Sequence, residues 1–280
     1  MINEGQVPPA LFLGKPGLKS RFDSGSLTGA DIDYLTKVMR FRELQDASNA
    51  DYGSLKLELP LPSEVHPASS HAAIEERMYD YFLENVVSRI TSMLSSGMVS
   101  VSDNFLACKA FLGVPERIMG SFGFDTHDFS GARGKKFLVL GSGSRNSPYN
   151  RFGTEEPWLC RYVYYAGGEV VGLDIAAQTD EKFRSYAIDL ADERSLSFLP
   201  SGFFDFVVCT KLVDFADPAS GASSPMLQQK FSARVLEKMA IRIMDESSRV
   251  LAPGGKMAAT FGWENRTLEK RGNQLVLPRK

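Results

Sequence analysis

The stretch "FLVLGSGS", residues 137–144, decides the fold. Its four apolar residues have the length of a short buried strand, and two glycines one residue apart, Gly141 and Gly143, follow them. Glycine lets the backbone turn sharply and come close to a ligand, because no Cβ stands in the way. The stretch therefore predicts a buried strand that ends in a turn able to hold a ligand.

Strand and helix patterns alternate after this turn. Three further apolar segments read as strands: "EVVGLDI", "RSYAIDL" and "FFDFVVCTKLV". A helix is predicted over "PWLCRYVYY", and a long one from Ser224 to about Val250, before Pro253-Gly254-Gly255 and the strand "KMAATFGW" (256–263). This order is typical of an α/β fold, with a parallel sheet and helices on its faces.

The N-terminal part of the chain, before residue 131, does not show this alternation of strands and helices. Six prolines punctuate residues 1–70, where we expect one helix near 29–44 and a short strand at 55–62. Further helices are predicted at 72–96 and 104–112, and 123–136 reads as a loop. We therefore predict two parts. Residues 1–130 form a mainly helical accessory or cap region, and residues 131–280 form the α/β domain.

Composition excludes several classes of protein. The 280 residues carry 32 basic and 34 acidic side chains, a formal charge of −2, so nothing favours a nucleic-acid partner. The three cysteines are far apart and form no CxxC pair, so neither a zinc site nor disulfides are expected. The predicted location is therefore the reducing cytoplasm. No signal peptide or membrane span is expected near the N-terminus, because the apolar run "ALFLG" is too short. The oligomeric state is left open.

Two aspartates end the strands that follow the glycine turn. Asp174 is placed to accept hydrogen bonds from two hydroxyls of a ribose, and Asp189 from the exocyclic amine of an adenine. A lone aspartate at a strand end is also a common turn former. A phosphate-binding P-loop is excluded because its motif is missing. A nicotinamide site is a third option, but Asn146 stands where its fingerprint needs a glycine.

The order of these features resembles the class I S-adenosylmethionine-dependent methyltransferases. "FLVLGSGS" looks like their first motif, "VVGLDI" like the acidic second strand, and "AIDLAD" like the segment beside adenine. "FDFVVCTKLVD" is similar to their fourth motif, and "ESSRVLAPGGKMAATF" to their last helix, Pro-Gly-Gly turn and fifth strand. The resemblance covers about residues 135–263 and implies a Rossmann-like, doubly wound, mostly parallel sheet.

The resemblance also implies a cofactor, S-adenosyl-L-methionine, and the residues that bind it. Its methionine part would lie against Gly141, Ser142 and Gly143. The ribose would be held by Asp174, and the adenine by Ile175, Asp189 and Leu190. Cys209 and Thr210 would line the pocket near the sulfonium.

The loop after the glycine turn has two interpretations. Asn146 to Tyr149 spell NSPY, which looks like the NPPY-type tetrapeptide of amine-methylating enzymes. That motif belongs at the end of the fourth strand, whereas NSPY follows the first, so we interpret the similarity as chance. Arg145, Tyr149 and Arg151 are predicted to contact substrate or to form a lid, because an arginine suits a carboxylate. The alternative is a surface insertion.

The catalytic residues are not determined by the sequence. Methyl transfer depends largely on positioning and needs a base only when the attacking atom carries a proton. His127, Trp263 and Glu264 are candidates by residue type or by position alone, and Trp263 is equally well read as a core indole. Cys209 has no partner base nearby in sequence, so we do not expect a covalent nucleophile.

The function predicted from these features is S-adenosylmethionine-dependent methyl transfer to a small molecule. A protein substrate is an alternative. A second alternative is a non-catalytic binding protein that keeps the fold. Two departures from the family suggest it: Val139 stands where the family often has an acidic residue, and the 17 residues after Trp263 are fewer than the family's usual helix and two strands require. Those last residues predict a hairpin that turns at 271–273.

Overall fold

The fold is a mixed α/β structure in which most strands of the sheet are parallel. The computed structural model describes residues 17–36, 39, 52, 54–58, 67–68, 70–85, 113–144, 156–176, 181–218, 231–262 and 264–277. The strands are β1 (Lys136–Leu140), β2 (Glu169–Asp174), β3 (Arg184–Ala187), β4 (Phe204–Asp214), β5 (Leu251–Phe261), β6 (Glu264–Arg271) and β7 (Gln274–Val276). The helices are α1 (Leu18–Asp23), α2 (His71–Asn85), α3 (Trp158–Tyr165) and α4 (Ala233–Val250). Residues 29–36 and 113–122 are also helical.

The strand order is β3-β2-β1-β4-β5-β6-β7. The first five strands in this order are parallel, whereas β6 is antiparallel to β5 and β7 is antiparallel to β6. The predicted parallel sheet and the C-terminal hairpin at 271–273 are thus confirmed. The order reverses between β1 and β4, and in open α/β sheets ligands bind at such a point, outside the carboxyl ends of the strands.

β1 lies in the middle of the sheet because both of its faces are apolar. Successive side chains of a strand point to opposite faces. Phe137 and Val139 pack into the core cluster on one face, which includes residues of α2 and α3. Leu138 and Leu140 pack into the cluster on the other face, which includes the apolar side of α4. A continuous apolar run is what a strand buried on both faces requires.

Two N-terminal helices, α2 and the one at 113–122, share this core, whereas α1 and the helix at 29–36 contribute to a separate small cluster. Ile74 and Met78 of α2 and Phe122 of the helix at 113–122 belong to the same cluster as Phe137. The Lys256 ammonium of β5 also donates to the Phe122 carbonyl at 2.7 Å. The packing therefore continues across residue 130. The division at residue 130 and the role of residues 1–130 as a cap both stay predictions.

Two helix predictions need correction. The single helix predicted over 224–250 is interrupted, because Ser232, with φ −66° and ψ 156°, is extended and α4 begins at Ala233. Residues 219–230, which include the predicted start, lie outside the described residues. The sequence predicts no helix at 113–122, but these residues are helical in the structure. The predicted segments 104–112 and 86–96 lie outside the described residues, while α2 confirms the helix predicted before them.

The strand predicted at 55–62 is wrong for its described part, residues 55–58. These residues form no strand in the structure. The Glu58 N–H donates to the Tyr186 hydroxyl at 2.8 Å, and that hydroxyl lies 3.2 Å from the Lys56 carbonyl. The segment therefore lies against β3 through a side chain of β3 and not through a ladder of main-chain bonds.

Replacing Phe137 by alanine tests the shared core. The Phe137 ring is fully buried, stacks on Phe206 with 4.7 Å between ring centroids, and lies 6.4 Å from the Phe122 ring. We expect Phe137→Ala to lower the free energy of unfolding by about 3–5 kcal/mol in chemical denaturation. The control Tyr79→Ala, at a side chain 41% exposed on α2, should change it by less than about 1 kcal/mol. Similar losses in the two variants would contradict the core described here.

Candidate functional site

The glycine turn after β1 is held by the end of β2. Gly141 and Gly143 both have positive φ, 66° and 85°, a conformation that favours glycine. The N–H groups of Gly141 and Ser142 donate to the Leu173 carbonyl at 2.8 and 3.0 Å. The turn therefore continues the β1–β2 pairing past the last residue of β1.

Asp174 completes this arrangement at the end of β2. Its Oδ2 accepts the Gly143 N–H at 2.9 Å, and its Oδ1 accepts the Ala176 N–H at 3.3 Å. The carboxylate is half-buried, as is Ile175 after it. Asp174 thus orders the glycine turn as well as lying where the sequence predicts a ribose acceptor. This second role could not be read from the sequence, because it depends on the register of the two strands.

The end of β3 lies beside the end of β2. The Ile188 N–H donates to the Asp174 carbonyl at 2.7 Å, which places the next residue, Asp189, at the same edge of the sheet. Asp189 is buried, and its Oδ1 accepts the Ala191 N–H at 2.9 Å. Its own N–H donates to the Tyr52 hydroxyl at 3.4 Å. The structure therefore brings three predicted regions together: the glycine turn, Asp174 and Asp189.

Leu190 adds a donor to this edge. Within the described part of the chain its N–H donates to no protein group, whereas its carbonyl accepts from the Arg242 guanidinium. A carboxylate acceptor followed by an N–H donor matches an adenine edge, because the exocyclic amine donates and the ring nitrogen beside it accepts. The predicted pair Asp189 and Leu190 thus has the hydrogen-bonding chemistry that its proposed ligand requires.

A four-residue bulge ends β4. The pairing with β5 passes from Cys209 opposite Ala259 directly to Asp214 opposite Thr260, so residues 210–213 bulge out of the sheet. Leu212 of this bulge lies against the glycine turn, because a Cβ on Gly141 would be 3.2 Å from three carbons of its side chain. The half-buried Thr210 begins the bulge. Leu212 is not among the residues predicted from the sequence, although the unusual length of the β4 segment was a signal of a bulge.

Cys209 ends the regular pairing of β4 with β5. It is fully buried in the core cluster beneath α4, and burial raises the pKa of its thiol to about 12. The thiol therefore stays protonated at neutral pH, which argues against a nucleophile. The expectation that Cys209 lines the pocket near a sulfonium stays a prediction.

Asp214 is a structural acceptor that the sequence analysis did not select. It is 1% exposed, and its Oδ1 accepts the N–H groups of Ala216 and Gly262, both at 2.8 Å. One carboxylate thus joins the turns that follow β4 and β5. This shapes the edge without providing an exposed base.

The candidate bases lie in different places. His127 is exposed in the turn before the amino end of β1, across the sheet from the glycine turn, so its position does not suit catalysis at the carboxyl edge. Glu264 begins β6 at the correct edge, but its side chain is 74% exposed and pairs with Arg266 at 3.5 Å. Trp263 and the three predicted lid residues lie outside the described residues. These are Arg145, Tyr149 and Arg151.

A buried ion cluster lies next to this edge. The Arg161 side chain of α3 is 2% exposed, and its Nη2 lies 2.6 Å from Glu156 Oε2 and 2.5 Å from Glu181 Oε1. The same nitrogen donates to the Tyr81 hydroxyl of α2 at 2.7 Å. Burial alone would lower the pKa of Arg161, but the two carboxylates outweigh it and raise the pKa. The cluster joins α2, α3 and the segment between β2 and β3.

Removing the cation of this cluster should be costly. Arg161→Met leaves Glu156 and Glu181 buried without their partner, and breaking a buried pair in this way costs about 3–5 kcal/mol of unfolding free energy. A loss no larger than that of an exposed ion pair would contradict the buried cluster. The matched control is Lys19→Ala in the exposed Lys19–Asp23 pair, which should cost less than about 1 kcal/mol.

The packing of Leu212 predicts a graded effect at Gly141. Gly141→Ala combines a strained φ with a Cβ at 3.2 Å from Leu212, whereas Gly254→Ala has a similar φ of 73° and no atom within 4 Å. We expect thermal and chemical unfolding to show a loss of about 1–3 kcal/mol for Gly254→Ala and a larger one for Gly141→Ala. Leu212→Ala should remove part of the difference. Equal losses in the two glycine variants would mean that Leu212 does not pack against the turn.

Comparison with known proteins adds little to this geometry. No protein-family model matches the chain, and no curated protein matches it in sequence. Among solved structures, the CurJ carbon methyltransferase is similar with 13% identity and a TM-score of 0.28. The alignment covers 82% of this chain but only 63% of that one. The assignment of function therefore rests on the site itself.

The described residues contain no group of three or more His, Cys, Asp or Glu side chains that could hold a metal ion. None of their helices combines the length and apolar character needed to cross a membrane.

Proposed function

We propose that the protein is an S-adenosylmethionine-dependent methyltransferase with a Rossmann-like, doubly wound domain. One observation carries the proposal: three neighbouring strand ends carry complementary groups at one edge. These are the glycine turn after β1, the carboxylate of Asp174 after β2, and the Asp189 and Leu190 pair after β3. They lie beside the point where the strand order reverses, which is where α/β sheets bind ligands.

The residues at this edge fit the cofactor part by part. Gly141, Ser142 and Gly143 would hold its methionine part, where positive φ angles bring the main chain close to a ligand. Asp174 would accept from the ribose hydroxyls, and Asp189 with Leu190 would pair with the adenine edge. The cofactor supplies an electrophilic methyl group on a sulfonium. The protein's part is to hold an acceptor in line with that group.

The topology favours this cofactor over a nicotinamide dinucleotide. The dinucleotide fold repeats two halves in the order 3-2-1-4-5-6. Here the strand beyond β5 is β6, which runs antiparallel and follows β5 after a short turn. The second half therefore lacks its third parallel strand, and the glycine fingerprint is also incomplete at Asn146.

We propose a small molecule as the methyl acceptor. The near-balanced charge of −2 argues against a nucleic acid, and a protein acceptor is the alternative. No residue is assigned as a base, because His127 lies at the wrong edge and Glu264 is exposed. We expect catalysis chiefly by positioning of the two reactants. The cytoplasmic location remains a prediction.

Calorimetric titration with S-adenosylmethionine and S-adenosylhomocysteine tests the proposal. We expect binding by the native protein and a loss of about tenfold to a hundredfold in affinity for Asp174→Asn, since a hydrogen bond to a charged group contributes about 1.5–3 kcal/mol. The matched control is Asp192→Asn. Asp192 also accepts a main-chain N–H two residues on, that of Arg194 at 2.8 Å, but it is not expected to touch the cofactor. Equal losses in the two variants would contradict the assigned role of Asp174.

A second candidate is a binding protein that keeps the fold without methyl transfer. The observation that favours it is Leu212, which packs against Gly141 beside the expected position of the methionine part. If the native protein binds neither compound in the titration and Leu212→Ala gains binding, this candidate is favoured. Binding by the native protein together with methyl transfer to any acceptor would exclude it.

A further inference from the structure

The main chain of the turn at 189–191 is held by side chains from two distant parts of the chain. The Arg242 guanidinium of α4 donates to the Leu190 carbonyl and, at 3.3 Å, to the Ala191 carbonyl. On the other side, the Tyr52 hydroxyl accepts the Asp189 N–H at 3.4 Å. Tyr52 is only 2% exposed and belongs to the same core cluster as Leu190. Two residues that are distant in sequence thus converge on three residues of main chain.

These contacts determine where the Asp189 carboxylate lies. The peptide between Leu190 and Ala191 is held at both ends, because its carbonyl accepts from Arg242 and its N–H donates to Asp189 Oδ1 at 2.9 Å. A peptide unit is planar, so a group that fixes the carbonyl also fixes the direction of the N–H. Arg242 therefore acts on the carboxylate through one rigid peptide unit.

The donor of the pair is fixed in a similar way. The Asp189 carbonyl accepts the Asp192 N–H at 3.0 Å, and in a trans peptide the following N–H, that of Leu190, points in the opposite direction. Tyr52 holds the residue that begins this peptide. The Asp189 carboxylate and the Leu190 N–H, which face the proposed adenine, are thus positioned by hydrogen bonds that lie outside the ligand site.

We propose that Arg242 and Tyr52 are positioning residues that make the site select adenine over a purine with the reversed hydrogen-bonding pattern. The inference rests on the proposed function and deepens it. Hypoxanthine carries an oxygen in place of the exocyclic amine and a hydrogen on the adjacent ring nitrogen. If the turn cannot rearrange, the hypoxanthine oxygen faces the Asp189 carboxylate, which is also an acceptor, and its ring N–H faces the Leu190 N–H, which is also a donor. A site built to hydrogen-bond a ligand rejects an analogue in this way because its polar groups are left unpaired.

The test compares binding of S-adenosylhomocysteine and S-inosylhomocysteine by calorimetry. The native protein should prefer the adenine compound by about tenfold or more, and Arg242→Gln should reduce that ratio by about threefold to tenfold. Arg242→Lys should restore part of the ratio, because an ammonium can still donate to a carbonyl. The readout is a ratio, so a general loss of stability, which weakens both ligands, leaves it unchanged.

Arg249 provides the matched control on the same helix. Its guanidinium donates to the Leu199 and Leu196 carbonyls at 2.7 and 3.0 Å, farther along the same segment and away from Asp189. Arg249→Gln should lower the melting temperature and leave the ratio within about twofold. In the same way, Tyr52→Phe should lower the ratio, whereas Tyr186→Phe, which loses a hydroxyl that bonds residues 56–58, should not.

Each outcome decides one point. A native protein that binds both compounds, with a ratio unchanged in Arg242→Gln and Tyr52→Phe, overturns the inference and leaves the proposed function intact. A native protein that binds neither compound overturns the proposed function, and with it the adenine selectivity. If Arg242→Gln does not fold, Arg242→Lys and Tyr52→Phe decide between these results.

Discussion

Three N–H groups of the turn after β1 are held by the last two residues of β2, and the rest of the edge depends on this contact. Gly141 and Ser142 donate to one carbonyl, and Gly143 donates to the Asp174 carboxylate. The central strand and its neighbour thus end at the same level, and the main-chain bond from Ile188 to Asp174 brings the third strand to that level as well. Polar groups far apart in sequence become neighbours because these parallel strands end at the same edge of the sheet.

Much of the fold could be predicted from local sequence. Apolar runs marked the five parallel strands, and Gly272 marked the final hairpin, because strand burial and turn conformation are set within a few residues. The glycine turn and Asp174 were predictable for the same reason. The starts of helices were harder to predict from the sequence. Ser224-Pro225 has the letters of a helix start but lies outside the described residues, and α4 begins at Ala233.

The supporting contacts of the site could not be predicted in this way. Tyr52 bonds a residue 137 positions away, and Arg242 bonds carbonyls about fifty positions before it. Neither side chain belongs to a pattern, since any tyrosine or arginine can make such a bond. The buried Arg161 is similar, because only the fold brings Glu156 and Glu181 to it. His127 shows the limit of residue type as a guide: it suggested chemistry, whereas the structure places it before the amino end of β1, away from the glycine turn.

The two borders of the sheet have a consequence for how copies of the protein can meet. Beyond β3 lie residues 55–58, tied to Tyr186 by hydrogen bonds and to Arg184 by an ion pair at 2.9 Å from Glu58. At the other border β7 has only three residues. Long, bare border strands recruit strands of other chains and start aggregation, whereas covered or very short ones do not. Residues 55–58 therefore shield one end of the sheet, and β7 offers only a three-residue template at the other.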